Sequence, residues 1–303
     1  MSDNFLNAVE IGIGTWAWGD TMMWGYGGDY GTDDVREAYE AARAAGVTLF
    51  DTAEVYGRGT SEELLGRFIS TEGGEAVQVA TKFMPFPWRF RRNALKDALR
   101  ASLDRLGLES AALYQIHWPL HVRSVEVWMD EMADAIEEGL IKAVGVSNYD
   151  VQTMKRAHRA LQKRGHRLAS NQVPYSLLKR DVEKNGLLAE CKALDIRLIA
   201  YSPLEKGLLT GKYGPDSPPP GVRAMNYART LEKVPPLTAK LREIGERHDK
   251  TPAQIAINWS ICKGALPIPG AKNARHAEQN ANAAGWHLAD EEVAALDALS
   301  DSI

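Results

Sequence analysis

Short, continuously apolar runs alternate along this chain with stretches in which apolar residues recur every three to four positions. The runs are GIGTWAW, VTLFDTA, VQVATKF, AALYQIHW, IKAVGVSN, LASNQV, IRLIAYS and ALPIPGA. A strand reads this way when both of its faces are covered, as in a parallel sheet flanked by helices. The intervening stretches carry helix-end chemistry. Asp34 and Glu37 are spaced as a capping box ahead of VREAYEAARAA, and Gly46 is placed to close that helix. Thr60 and Glu63 repeat the spacing before EELLGRFI. Thr251, Pro252 and Gln254 supply an N-cap, a first-turn proline and a box partner for AQIAINWSICK. Strand and helix repeated eight times predict an α/β protein in which residues 1–303 form one (β/α)8 TIM barrel domain. A doubly wound open sheet would need a Gly-x-Gly-x-x-Gly turn after a strand, and no run is followed by one.

The longest break in the alternation is SPLEKGLLTGKYGPDSPPPGVRAMNYART. Ser217, Pro218, Pro219, Pro220 and Gly221 exclude regular structure there. A loop of this length is either a flap over a ligand or an irregular insertion. Composition narrows the partners. With 36 basic and 40 acidic residues the formal net charge is -4, so the chain has no basic field for nucleic acid. Arg89, Arg91 and Arg92 are too few to create one and read as a solvated loop and helix start. Cys191 and Cys262 stand far apart, which argues against a disulfide framework or a cysteine metal site and leaves both as small core residues. The N-terminus has no basic segment leading into an apolar run, and no apolar stretch approaches the ~20 residues that span a bilayer. The expectation is a cytoplasmic monomer or weak homo-oligomer with neither a membrane partner nor a metal.

Barrels bind ligands at the C-terminal ends of their strands, so the polar residues that end the apolar runs are the candidates for chemistry. They are Asp51 with Tyr56 just beyond it, Lys82, His117, Ser147 with Asn148, Asn171 with Gln172, and Tyr201 with Ser202. Asp51, Tyr56, Lys82 and His117 suit protonation of a carbonyl oxygen while hydride arrives from elsewhere. A phenol with a pKa near ~10 is a poor acid at neutral pH, and a neighbouring ammonium lowers that value by stabilising phenolate. A carboxylate beside the lysine keeps it charged, and a neutral histidine donates a hydrogen bond to the oxygen. Each also has an ordinary role open to it: Asp51 as a cap, Tyr56 as a loop aromatic, Lys82 snorkelling at a strand end, and His117 in the core.

The ordered series GVTLFDTAEVYGRGTSEELLG, VATKF, YQIHWP, IKAVGVSNY, NQVPYSLL, AYSPLEKGLLTGKY and PIPGAKNARHAEQN resembles the aldo-keto reductase superfamily over nearly the whole chain, in the manner of its pyridoxal-reductase-like members. The resemblance implies NADPH-dependent reduction of aldehydes and ketones, with Tyr56 as general acid, Lys82 and Asp51 tuning it, and His117 orienting the carbonyl. It implies that Ser147, Asn148 and Gln172 hold the nicotinamide carboxamide and that Tyr201 stacks on the ring. Ser202, Leu204, Lys206 and Gly207 would approach the pyrophosphate. Lys272, beside Gly270, would face the 2′-phosphate, and Gln279 and Asn280 the adenine. Many family members carry a basic residue where this chain has Gly270 and an arginine where it has His276; adjacent Arg275 is placed to compensate, and NADH remains open as a second cofactor. Lys272 also has the plain reading of a surface lysine.

Trp18, Trp24, Trp88 and Trp118 are placed either to line a pocket for a small-molecule carbonyl substrate or to pack the barrel mouth. The short C-terminus after DEEVAALDALS suggests an open site for small aldehydes, pyridoxal-like or sugar-derived. Three other classes compete. One is a Schiff-base aldolase at Lys82. Another is an NADPH-binding redox-sensing or regulatory subunit with little turnover. The third, a barrel metal hydrolase, lacks a His-x-His pair at the end of the first run.

Overall fold

The structure is a computed structural model that describes residues 4–72, 76–120, 122–219, 225 and 227–303. Eight parallel strands follow one another around a ring in chain order. They are β1 (Gly12–Gly14), β2 (Leu49–Asp51), β3 (Gln78–Phe83), β4 (Leu113–Ile116), β5 (Val144–Ser147), β6 (Leu168–Pro174), β7 (Arg197–Tyr201) and β8 (Leu266–Pro267). The ring closes where Gly14 bridges to Gly270 and donates its N–H to the Pro269 carbonyl at 3.1 Å. A helical layer surrounds it: α1 (Thr32–Ala44), α2 (Thr60–Glu72), α3 (Ala94–Leu106), α4 (Val125–Glu137), α5 (Val151–Gln162), α6 (Asp181–Lys184), α7 (Leu187–Ala193), α8 (Ala228–Lys233), α9 (Pro235–His248), α10 (Pro252–Cys262), α11 (Ala274–Ala281) and α12 (Asp290–Asp301).

The two-residue period of a strand decides what faces the barrel axis. Leu49, Ala80, Leu113, Ala169, Ile199 and Leu266 form an inner cluster, which Leu6 and Val9 join from the first turn of the chain. Phe50, Phe83, Tyr114 and Ile116 point the other way, into the clusters between strands and helices. Residues two positions beyond the inner layer therefore share its face. Asp51, Lys82 and Gln115 follow Leu49, Ala80 and Leu113 in this way, and all three are buried.

Several helix ends differ from expectation. The N-cap of α1 is Gly31, with Asp34 at the third helical position accepting from the Gly31 N–H at 2.8 Å, so Asp34 is not the cap and only the return half of a box forms. Thr60 lies within the first turn of α2, directly after a 3₁₀ turn over Tyr56–Gly59, and its hydroxyl donates back to the Gly57 carbonyl at 2.8 Å. The box of Thr251 and Gln254 forms on α10, and Gly46 follows α1 at φ +85°. Arg89 is only partly solvated: its guanidinium pairs with Glu54 and lies 5.0 Å from the Phe83 ring centre. Arg91 and Arg92 are exposed. Cys191 is buried and Cys262 partly so.

The long segment after β7 is less irregular than its composition suggests. It begins as a 3₁₀ turn over Glu205–Thr210 and regains a helix at α8; Pro220 and Gly221 lie outside the described residues. The last helix is pinned to the barrel through Asp297, which accepts from the Trp259 indole N–H at 2.9 Å and from Lys263 at 2.8 Å. Among the described residues no helix is long and apolar enough to cross a membrane, and no cluster of metal-ligating side chains occurs.

Candidate active site

Asp51, Lys82, Gln115 and Gln172 build a polar layer immediately beneath the barrel mouth. The Lys82 ammonium donates to Asp51 Oδ1, to the Thr52 carbonyl at 2.8 Å and to Tyr56 Oη at 3.3 Å. Asp51 Oδ2 accepts from the side-chain amides of Gln172 at 2.8 Å and Gln115 at 3.1 Å. The carboxylate is thus held on both oxygens, and it fixes the lysine under the phenol. Burial alone would strip the charge from Lys82, but Asp51 and Tyr56 outweigh it and the ammonium is favoured. Tyr56 is raised above its ordinary value by burial, with Lys82 pulling against that rise. The phenol therefore stays protonated at neutral pH, beside a cation that stabilises phenolate as it forms.

Tyr56 reaches this position because β2 ends at Asp51 and the chain turns through the 3₁₀ segment, with Gly57 and Arg58 both at positive φ. His117, at the end of β4, meets the Tyr56 ring edge-on with centres 5.7 Å apart. Burial, and secondarily Lys82, pushes its imidazole down to about 3, so it is neutral. Its buried Nδ1 has no hydrogen-bond partner among the described residues.

The ends of β5, β6 and β7 are joined by hydrogen bonds. Ser147 Oγ donates to the Gln172 carbonyl at 2.8 Å; the Asn148 amide donates to Ser147 Oγ at 3.0 Å and to the His117 carbonyl at 3.2 Å. Tyr201 Oη donates to Asn148 Oδ1 at 3.0 Å. Asn148 holds φ +62° to make these contacts. Gln172 differs from its neighbours, since its side-chain amide faces Asp51 one layer down.

Beyond Tyr201 the backbone turns repeatedly through the left-handed region, at Ser202 (φ +53°), Glu205 (+45°), Lys206 (+52°) and Gly207 (+97°), with Leu204 between them. Successive turns of this kind form a concavity that suits an anion, although here the Glu205 and Gly207 N–H groups donate to the Ser202 and Leu204 carbonyls, both at 2.9 Å. Glu205, inside this stretch, has its carboxylate buried next to Ser176 Oγ at 3.3 Å, and burial pushes that carboxyl up. After β8, Lys272 donates to the Trp24 carbonyl at 2.8 Å, and Asn280 donates to the Gly270 carbonyl at 3.1 Å. Gln279 is half-buried on the same helix, α11. Burial first, and then the charges of Lys212, Arg275 and Lys272, push the His276 imidazole down.

The aromatic candidates separate. Trp18 is fully buried against Phe50 and Phe68, and its indole N–H donates to the Ala271 carbonyl at 2.8 Å; it packs the core and lines no pocket. Trp16 takes the expected place, lying over Tyr56 with centres 6.1 Å apart and planes at 27°. The chain leaves the strand at Gly14, so the alternation that would give Trp16 and Trp18 the same face ends before it reaches them. Trp24 meets Trp16 edge-on at 5.5 Å. Trp88 is 66% exposed and stacks on Phe86, and Trp118 is 43% exposed beside His117. Gln115 was also missed. Its spacing from Leu113 and His117 was the available signal.

The aldo/keto reductase family model matches residues 10–301. The chain is 42% identical to the chloroplastic pyridoxal reductase of Arabidopsis thaliana over 305 residues, covering 96% of this chain and 83% of that one. It is 42% identical to an uncharacterised oxidoreductase of Mycobacterium tuberculosis over 307 residues, covering 99% and 91%. Among solved structures it resembles an aldo/keto reductase from Klebsiella pneumoniae in complex with NADP and acetate, at 29% identity and a TM-score of 0.76, covering 96% and 91%. It also resembles a glycerol dehydrogenase from Gluconobacter oxydans, at 29% identity and a TM-score of 0.83, covering 96% and 90%. Sequence, barrel and the layer of side chains beneath its mouth agree, and the chain belongs to the aldo/keto reductase family.

Proposed function

We propose that the protein reduces small aldehydes and ketones to alcohols with NADPH, using Tyr56 as general acid. The single observation that carries this is the phenol of Tyr56 at 3.3 Å from an ammonium that Asp51 holds charged and in place. A carbonyl oxygen at the mouth accepts the phenol proton as hydride reaches carbon, and the phenolate left behind is stabilised by Lys82. Neutral His117 donates to the same oxygen and fixes its direction. Trp16 and Trp24 form one wall of the pocket, with Trp88 and Trp118 at its rim.

Two features fit NADPH. The left-handed turns from Ser202 to Gly207, within which the Glu205 and Gly207 N–H groups bond the Ser202 and Leu204 carbonyls, shape a concavity suited to a pyrophosphate. Lys272 and Arg275, with Lys212 acting on the same His276, supply cations for the 2′-phosphate that NADPH carries and NADH lacks. In this reading Ser147, Asn148 and Gln172 hold the carboxamide, Tyr201 lies against the nicotinamide, and Gln279 and Asn280 approach the adenine; the cofactor supplies the hydride. The Arabidopsis relative's name makes pyridoxal-like aldehydes the first substrates to assay.

Tyr56→Phe tests the reading. Aldehyde reduction, followed by NADPH absorbance over a panel of carbonyls, should fall by ~10²–10⁴-fold while cofactor affinity is kept. Near-normal turnover would remove Tyr56 from the acid role. Tight NADPH binding with negligible turnover of every carbonyl by the unmodified protein would favour a sensing subunit instead.

A further inference from the structure

Lys272 lies far from Tyr56 in sequence, yet a short series of contacts joins them. Its ammonium donates to the Trp24 carbonyl at 2.8 Å and lies 5.1 Å from the centre of the Trp24 ring and 4.3 Å from that of Tyr30. Trp24 meets Trp16 edge-on, and Trp16 lies over Tyr56. The segment between β1 and α1 is tied together: Asp20 accepts from the Trp16 indole at 3.2 Å and from the Met23 N–H at 2.7 Å, and Tyr30 Oη donates to the Ala17 carbonyl at 2.5 Å. The buried Trp24 indole N–H has no acceptor among the described residues, so this arrangement leaves a donor that a shifted loop can satisfy.

We propose that Lys272 is a positioning residue that couples the cofactor's 2′-phosphate to the carbonyl pocket, by anchoring the loop whose Trp24 supports Trp16 against Tyr56. The proposal rests on the NADPH reading given above. An ammonium that meets a phosphate shares or redirects the bond it makes to the Trp24 carbonyl, and the cation over the indole moves with it. The loop, and with it the pocket wall, then takes one position with a 2′-phosphate present and another without. Because coupling between two binding events is reciprocal, NADPH and NADH should differ in the affinity they confer on the aldehyde as well as in their own affinity. A lysine serving only as a phosphate counter-charge would change the cofactor term alone.

Adenosine 2′,5′-bisphosphate carries the phosphate without the nicotinamide, and 5′-AMP carries neither. Calorimetry reports whether each binds, and tryptophan emission reports the loop. The bisphosphate should bind and change the emission of the unmodified protein; Trp24→Phe should still bind it but lose most of that change; 5′-AMP at equal occupancy should produce little. By calorimetry, the Kd of a non-reducible analogue of the aldehyde should be about fivefold or more lower with saturating NADPH than with saturating NADH, the lower end of ordinary inter-site coupling, and Lys272→Met should bring the two values together. Bisphosphate binding without a Trp24-dependent change, or equal analogue Kd values in the unmodified protein, would overturn the coupling and leave the NADPH reading standing. Absence of bisphosphate binding would remove the NADPH reading and the coupling with it.

Discussion

Asp51→Asn probes the most heavily bonded contact in the site. The carboxylate takes Lys82 on one oxygen and the amides of Gln115 and Gln172 on the other, and Lys82 and Asp51 are only 1% and 3% exposed. Asparagine offers one acceptor and one N–H₂ donor. With its oxygen toward Lys82, its amide faces two amide donors; turned over, it faces an ammonium. In either orientation the cation loses its counter-charge, and in the second it keeps only the Thr52 carbonyl and Tyr56 Oη. Breaking a buried pair by removing one partner costs on the order of 3–5 kcal/mol. Because those two acceptors remain and the glutamine amides can turn, the lower end applies, about 3 kcal/mol, which at about 2–4 °C per kcal/mol for a large domain lowers Tm by roughly 6–12 °C. Asp51→Asn/Lys82→Met removes the stranded cation and should recover at least half of the loss. Lys82→Met alone leaves a carboxylate with two amide donors and should cost less than Asp51→Asn. Calorimetric Tm values at pH 7, with urea midpoints as a second measure, complete the cycle. An Asp51→Asn protein within about 1 kcal/mol of the parent, or a double variant no more stable than Asp51→Asn, would refute the argument that the buried charge is what the site must satisfy.

Three further outcomes follow from other parts of the molecule. His117 is pushed down to about 3 from an ordinary 6.5, so the unfolded chain takes up its proton first; the stability gained by keeping it neutral is complete above pH 6.5 and is lost as pH falls toward 3. Tm should therefore drop less steeply between pH 6.5 and 4 in His117→Gln than in the parent, and matching slopes would count against a neutral buried imidazole. Asp297→Ala strips an acceptor from Trp259, Lys263 and the Arg180 ion pair and should cost about 1–3 kcal/mol in the urea midpoint, with faster proteolysis of α12; an unchanged midpoint would mean that apolar contacts alone hold that helix. Trp16→Ala removes the ring lying over Tyr56 and should raise aldehyde KM by about 2–10-fold while lowering kcat far less than Tyr56→Phe does; a kcat loss as large as that of Tyr56→Phe would place Trp16 in the proton transfer itself.

The strand order was legible because each strand is covered on both faces and therefore reads as an unbroken apolar run. The polar cluster at the mouth was legible in part because Asp51, Lys82 and His117 are polar residues ending such runs. What escaped depended on contacts that no local pattern records. Arg89 looks like a surface arginine until Glu54, from a different loop, pairs with it. Trp16 and Trp18 carry the same side chain at the same parity, and only the early end of β1 sends one over Tyr56 and the other into the core. Asp34 has the composition of an N-cap, yet Gly31 takes that place because an acid at the third helical position bonds the cap N–H equally well. Gln115, uncharged within an apolar run, drew no notice, although it bonds the carboxylate on which the whole layer depends.

The seam that turns the sheet into a cylinder is made by residues with nothing to offer but their main chain. A methyl group on residue 14 would sit 2.9 Å from the Ile268 carbonyl oxygen, too close for any real side chain, so the first and last staves would have to part. An uncurled sheet has two raw borders of unpaired amides and carbonyls, each a template for another copy of the chain. The bare Cα of Gly14 thus bears on association as well as shape: with a hydrogen there in place of a carbon, the first stave sits close enough to the last for their main chains to pair and cover that border.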